Sequence, residues 1–146
     1  MMKYLPITFF LCLFLQTSVA QTPKVDTVVV TDWSGTDWVN DSRTISSYDL
    51  SCRLSSALNQ YWDETSEIWN NQSLQIYSYK TDNYIRDIVI QIWNTTTNSW
   101  NNSSRDVYTY DNSFKVLSLN SQYWQDSEWK DGIVTTYSYD ENGNYD

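Results

Sequence analysis

Apolar and polar residues alternate with period two along most of this chain, and no segment of useful length carries the spacing of an amphipathic helix. Ile88 and Ile90 interleave with Val89 and Gln91, and Leu117 and Leu119 with Ser118 and Asn120. Alternation of this kind predicts half-exposed strands, whose side chains point to opposite faces in turn. Polar stretches such as Ser34–Asp37 and Asn94–Ser99 separate them with turn chemistry. The pattern predicts an all-β, antiparallel up-and-down meander of about eight strands, with Val25–Val30 supplying the first.

The aromatic residues set the period. Trp33, Trp62, Trp93 and Trp124 are spaced by 29, 31 and 31 residues, and Trp38, Trp69, Trp100 and Trp129 by 31, 31 and 29. Tyr48, Tyr79, Tyr110 and Tyr139 each follow the second series by ten positions, and Gln60, Gln91 and Gln122 precede the first series by two. The spacing divides a single domain, 21–146, into a half repeat 21–32, repeats 33–61, 62–92 and 93–123, and a partial repeat 124–146. A unit this small cannot bury its own apolar face and must stack on its neighbours. The Trp-to-Tyr spacings within a copy are even. Strict alternation therefore puts Trp100, Tyr108 and Tyr110 on one face and Arg105, Val107 and Thr109 on the other, with Trp69, Tyr77 and Tyr79 likewise opposite Leu74, Ile76 and Ser78. An open twisted sheet is expected, since repeats have no built-in reason to stop at eight strands. A closed eight-stranded barrel is the alternative. An open sheet leaves edges, so self-association through an edge strand is expected.

Residues 1–20 stand apart. Lys3, an apolar run from Ile7 to Leu15, and Ser18-Val19-Ala20 before Gln21 follow the charged, apolar, small order of a cleavable signal peptide. This predicts a secreted or cell-surface protein. The run is too short to span a membrane, and no later stretch approaches the length required, so no membrane span is expected. Cleavage removes one Lys and no acid, moving the formal charge from −9 to −10. Such a charge repels phosphate backbones and disfavours nucleic acid as a partner. Of two cysteines only Cys52 survives cleavage, which excludes an intramolecular disulfide and suits a semi-buried thiol.

No catalytic site emerges. The chain has no His, and its Asp residues recur at turns with no acidic pair standing out from that background. No enzyme activity, metal site or cofactor is expected. Asp140–Asp146 alternates oxygen-bearing side chains like a calcium loop, but its Gly falls at the fourth position, where Asn142-Gly143 reads as a hairpin turn. The last residue, Asp146, lies just past that turn, as in a fragment of a longer repeat protein.

The candidate ligand-stacking residues are the eight tryptophans, Trp33, Trp38, Trp62, Trp69, Trp93, Trp100, Trp124 and Trp129. Flat aromatic faces stack on sugar rings, and a stripe recurring every second strand places equivalent rings about 10 Å apart. The competing role is core, with the aromatics packed against neighbouring repeats. Two functions follow: a structural or adhesive, non-catalytic repeat protein, or a carbohydrate-binding module. The corresponding partners are another protein or a glycan. A barrel would instead suit a small-ligand carrier.

The combination W-x-N, Y-x-Y-D, N-G-N and Q-x-W, read across nearly all of 21–146, resembles the tandem Trp/Tyr-Asp β-hairpin repeats of exported proteins from Bacteroidetes-type bacteria. It is distantly similar to the YD repeats of Rhs-type proteins, whose units are shorter and lack the Trp pair. The resemblance implies export and a place on or outside the cell surface. Lys80 stands where other copies have Asp, Ser46 where others have the first Tyr, and Asn-Gly is intact only at Asn142-Gly143.

Overall fold

A computed structural model of the protein describes residues 24–80 and 83–144, so the leader reading over 1–20 lies outside the described residues. Eight strands follow one another: β1 (Thr27–Trp33), β2 (Trp38–Tyr48), β3 (Leu54–Asp63), β4 (Ile68–Tyr79), β5 (Ile85–Asn94), β6 (Ser99–Tyr110), β7 (Val116–Gln125) and β8 (Glu128–Thr136). Each pairs antiparallel with the next, in the order β1 to β8 without crossovers. The sheet is open. Among the described residues the outer edges of β1 and β8 have no partner strand, so the barrel alternative does not form. No helix among the described residues is long and apolar enough to cross a membrane.

Local chemistry explains both kinds of turn. At the Trp end of the hairpins, Asp63 Oδ1 accepts the N–H groups of Thr65 and Ser66, and Asn94 Oδ1 accepts those of Thr96 and Thr97. The β7–β8 turn has only two residues between Gln125 and Glu128, and Asp126 and Ser127 both take positive φ, 53° and 65°. That is the mirror-image turn whose twist suits a tight hairpin. At the opposite end, the Asp of the Tyr-Asp motif folds the chain. Asp49 Oδ1 accepts N–H from Ser51 and Arg53, Asp111 Oδ1 from Ser113 and Lys115, and Asp140 Oδ1 from Asn142 and Asn144. The carboxylate of the calcium-like stretch is thus occupied in a turn closed by Gly143 at φ 85°.

Strict alternation fails at one recurring place. In every hairpin the even strand carries one extra residue immediately after the position two beyond its Trp: Asp41, Gln72, Ser103 and Gly132 have no opposite number in β1, β3, β5 and β7 if the count starts from the Trp pair and continues through the ladder. Such a β-bulge shifts the side-chain parity of everything beyond it. The expectation that Trp and Tyr share a face is therefore corrected. Trp69 shares its face with Leu74, Ile76 and Ser78, and Trp100 with Arg105, Val107 and Thr109, while Tyr77, Tyr79, Tyr108 and Tyr110 lie on the other side. A second bulge recurs at the seams between hairpins, where Ser55, Arg86 and Leu117 are the extra residues.

The result is one layer with a tryptophan face and a tyrosine face. Among the described residues, strands contact only their sequence neighbours to any extent, and no element packs across either face. Ala57 is the one buried apolar residue among those described, and the buried polar residues are Gln60 and Asp87. Cohesion therefore rests on the hydrogen-bond ladder and on cross-strand side-chain pairs, each contributing on the order of 0.2–1 kcal/mol.

Candidate functional site

The tryptophan face is built hairpin by hairpin. Trp33 and Trp38 stand opposite each other, as do Trp62 and Trp69, Trp93 and Trp100, and Trp124 and Trp129. Each pair meets edge to face with ring centroids 5.5, 5.1, 5.0 and 4.9 Å apart. This is a favoured aromatic geometry. All eight candidate stacking residues thus fall on one face at the turn end of the hairpins. Trp38 is 69% exposed and Trp33 56%, whereas Trp62, Trp69, Trp93, Trp100 and Trp129 are half-buried by one another and by their neighbours.

Behind the rings runs a row of amides. Gln60 Nε2 donates to Asn71 Oδ1 at 2.7 Å, Gln91 Nε2 to Asn102 Oδ1 at 2.9 Å, and Gln122 Nε2 to Asp131 Oδ1 at 2.8 Å. The Q-x-W glutamine and the residue two beyond the second Trp are therefore partners across a hairpin. Both halves of this pair are visible in the sequence as spacings, and their pairing follows from the register of the Trp pairs, since both lie on the Trp side of the bulge. Asp131 also accepts from Asn120 Nδ2, and its hydrogen bonds to Gln122 first and then Asn120 lower its pKa.

Two arginines at equivalent positions are used differently, one across a seam and one within its hairpin. Arg43 Nε donates to Gln60 Oε1 at 2.7 Å while its guanidinium lies over the Trp69 ring, 4.6 Å from the centroid. Arg105, at the equivalent position two repeats on, turns away to Asp87, with Nη2 2.7 Å from the carboxylate. Its Nε and the Oε1 of Gln122, which would otherwise meet, are buried without a partner, as is Asn120 Oδ1. Burial raises the Asp87 pKa, but hydrogen bonds from Arg105 and Ser78 and the charges of Arg105 and Arg86 outweigh it and leave the group below its ordinary value. Arg43 and Arg105 hold one repeat position in alternate copies, with Leu74 between them, and Asp87 is replaced by Ser56 and Ser118 in the neighbouring copies, so the period alone singles out none of them.

Two open clefts lie at equivalent seams of this face. One, between β2 and β3, is about 380 Å³ and lined by Trp38, Asn40, Trp62, Glu64 and Glu67. The other, between β6 and β7, is about 520 Å³ and lined by Gln91, Trp100, Asn101, Asn102 and Trp124. Each sets the second Trp of one hairpin beside the first Trp of the next, with a W-x-N asparagine between them.

The tyrosine face does structural work. Tyr48, Tyr79, Tyr110 and Tyr139 each donate their hydroxyl to a carbonyl at or just before the start of the preceding strand, on Val25, Leu54, Ile85 and Val116, at 2.7–2.9 Å. A cation covers three of these rings, Lys24 on Tyr48, Arg53 on Tyr79 and Lys115 on Tyr139, and Tyr84 takes that position against Tyr110. Burial raises the hydroxyl pKa of Tyr77, Tyr79, Tyr108 and Tyr110. Cys52 is half-buried in the β2–β3 turn at φ 61°. Among the described residues no three His, Cys, Asp or Glu side chains are grouped to hold a metal.

No protein-family model and no curated protein sequence matches the chain. Among solved structures, it is similar to a protein of unknown function from Bacteroides fragilis, with a TM-score of 0.67 at 14% identity over 80% of this chain and 86% of that one. It is also similar to a DUF3836 family protein from Bacteroides vulgatus, with a TM-score of 0.52 at 17% identity over 78% of this chain and 100% of that one. At these identities the likeness is one of fold.

Proposed function

We propose that this chain is a non-catalytic structural or adhesive repeat protein that is exported and acts outside the cell or on its surface. The observation that carries the reading is the single repeating layer with two complementary open edges. β8 is an even strand, and in β2, β4 and β6 the matching edge is joined to an odd strand. β1 is an odd strand whose outer edge awaits such a partner. Continuing the β6–β7 register past β8 would set Thr136 against Val29 and Tyr137 against Val28 of a second copy, head to tail. Val28, Val29, Val30, Ile133 and Val134, between 46% and 72% exposed, would then be covered from both sides. A heterologous contact of this kind propagates rather than closes. The signal-peptide pattern and the resemblance to exported repeats support the location.

The test is association. Light scattering on the purified protein should show mass rising with concentration, and replacing both Val28 and Val30 with Lys should return it to a monomer, since edge lysines block strand addition. A wild-type protein that stays strictly monomeric at its highest soluble concentration would refute edge-to-edge assembly.

A further inference from the structure

We propose that the seam clefts of the tryptophan face bind an uncharged, extended polysaccharide that runs across the strands. The inference goes beyond edge assembly and does not depend on it, because it uses the face of the sheet rather than its edges.

Three features define the ligand. First, each cleft is walled by indole rings from two hairpins, Trp38 and Trp62 in one and Trp100 and Trp124 in the other. Rings of this kind offer flat apolar surfaces to the C–H faces of a sugar. Second, the floor is amide. Asn102 accepts from Gln91 through Oδ1, which leaves its Nδ2 hydrogens and the Gln91 carbonyl oxygen to the cleft they line. A ligand with apolar faces and hydroxyl edges fits both features at once. Third, charge excludes polyanions: the formal net charge is −9, and Glu64 and Glu67 line the first cleft.

The pitch selects an extended chain. Successive Trp pairs are separated by two strands, about 10 Å, which matches the disaccharide repeat of an extended β-linked glycan. A peptide strand would seek backbone donors and acceptors, which this face does not present. A lipid would leave the amide row unmet.

The experiment is titration of intrinsic Trp fluorescence and of heat with soluble mixed-linkage β-glucan, xylan and galactomannan, with polygalacturonate as the polyanion. At least one neutral polymer should quench saturably, and its hexasaccharide should bind more tightly than its disaccharide. Trp38→Ala and Asn102→Ala should each weaken binding, the Trp change by roughly tenfold, as expected for loss of one aromatic anchor. Trp38 is largely exposed, so its removal leaves the sheet intact, which circular dichroism checks. Tyr123→Ala, on the opposite face, should leave affinity unchanged. No response to any neutral polymer, binding confined to polygalacturonate, or loss of binding in Tyr123→Ala with none in Trp38→Ala would each overturn the proposal.

Discussion

Single residues in this sheet have few neighbours to share their roles, so individual polar contacts stand out. Asp87 is 2% exposed and receives Arg105 at 2.7 Å and Arg86 at 3.2 Å. A carboxylate so placed is stable only while ionised and paired. Its folded pKa lies below the unfolded value of about 3.9. Its contribution is therefore fully present above that value and is lost as pH falls through the folded pKa. Asp87→Asn should lower stability at neutral pH by about 1–3 kcal/mol, the range for hydrogen bonds to charged groups. The gap between variant and wild type should narrow below about pH 4. Urea denaturation across pH measures this, and a gap independent of pH would mean that Asp87 acts by shape alone.

At the scale of the hairpin, the same parts recur with different execution. The first three Trp turns are four residues long or more, but the fourth uses only Asp126 and Ser127, both in left-handed backbone conformations. A side chain there costs about 1–2 kcal/mol that glycine avoids. Ser127→Gly should therefore stabilise the protein by about 1 kcal/mol, read as a higher denaturation midpoint. A lower midpoint would assign the Ser127 side chain a bonding role. Strand order, turn positions and the alignment of all eight tryptophans were legible from spacing alone, because the period survives every substitution between copies. The bulges were not. Asp41, Gln72, Ser103 and Gly132 sit among polar residues, where an extra position breaks no hydrophobic pattern and leaves the Trp-to-Tyr count even. Strict alternation without them puts Trp and Tyr on one face and misplaces Arg105 relative to Trp100. The exposure of both faces was equally hidden, since alternation predicts two faces but not what covers either.

At the scale of the whole molecule, the described residues share no common core, and this sets how the sheet should unfold. Each strand touches its sequence neighbours, so stability approximates a sum of hairpin and seam contributions, as in other repeat proteins. Such a chain tolerates removal of a complete period if the register is kept. Deleting 33–61 joins Asp32 to Trp62, which the repeat places at successive positions of one odd strand. Val25 then offers Tyr79 the carbonyl that Leu54 now provides, and Lys24 replaces Arg53 over its ring. Asp87 and Arg105 remain together. The shortened protein should keep a β-sheet circular dichroism spectrum and unfold with a denaturant slope smaller by roughly a quarter, in proportion to the surface it exposes. Collapse to an unfolded chain would show instead that the first and later hairpins depend on each other beyond their shared seam.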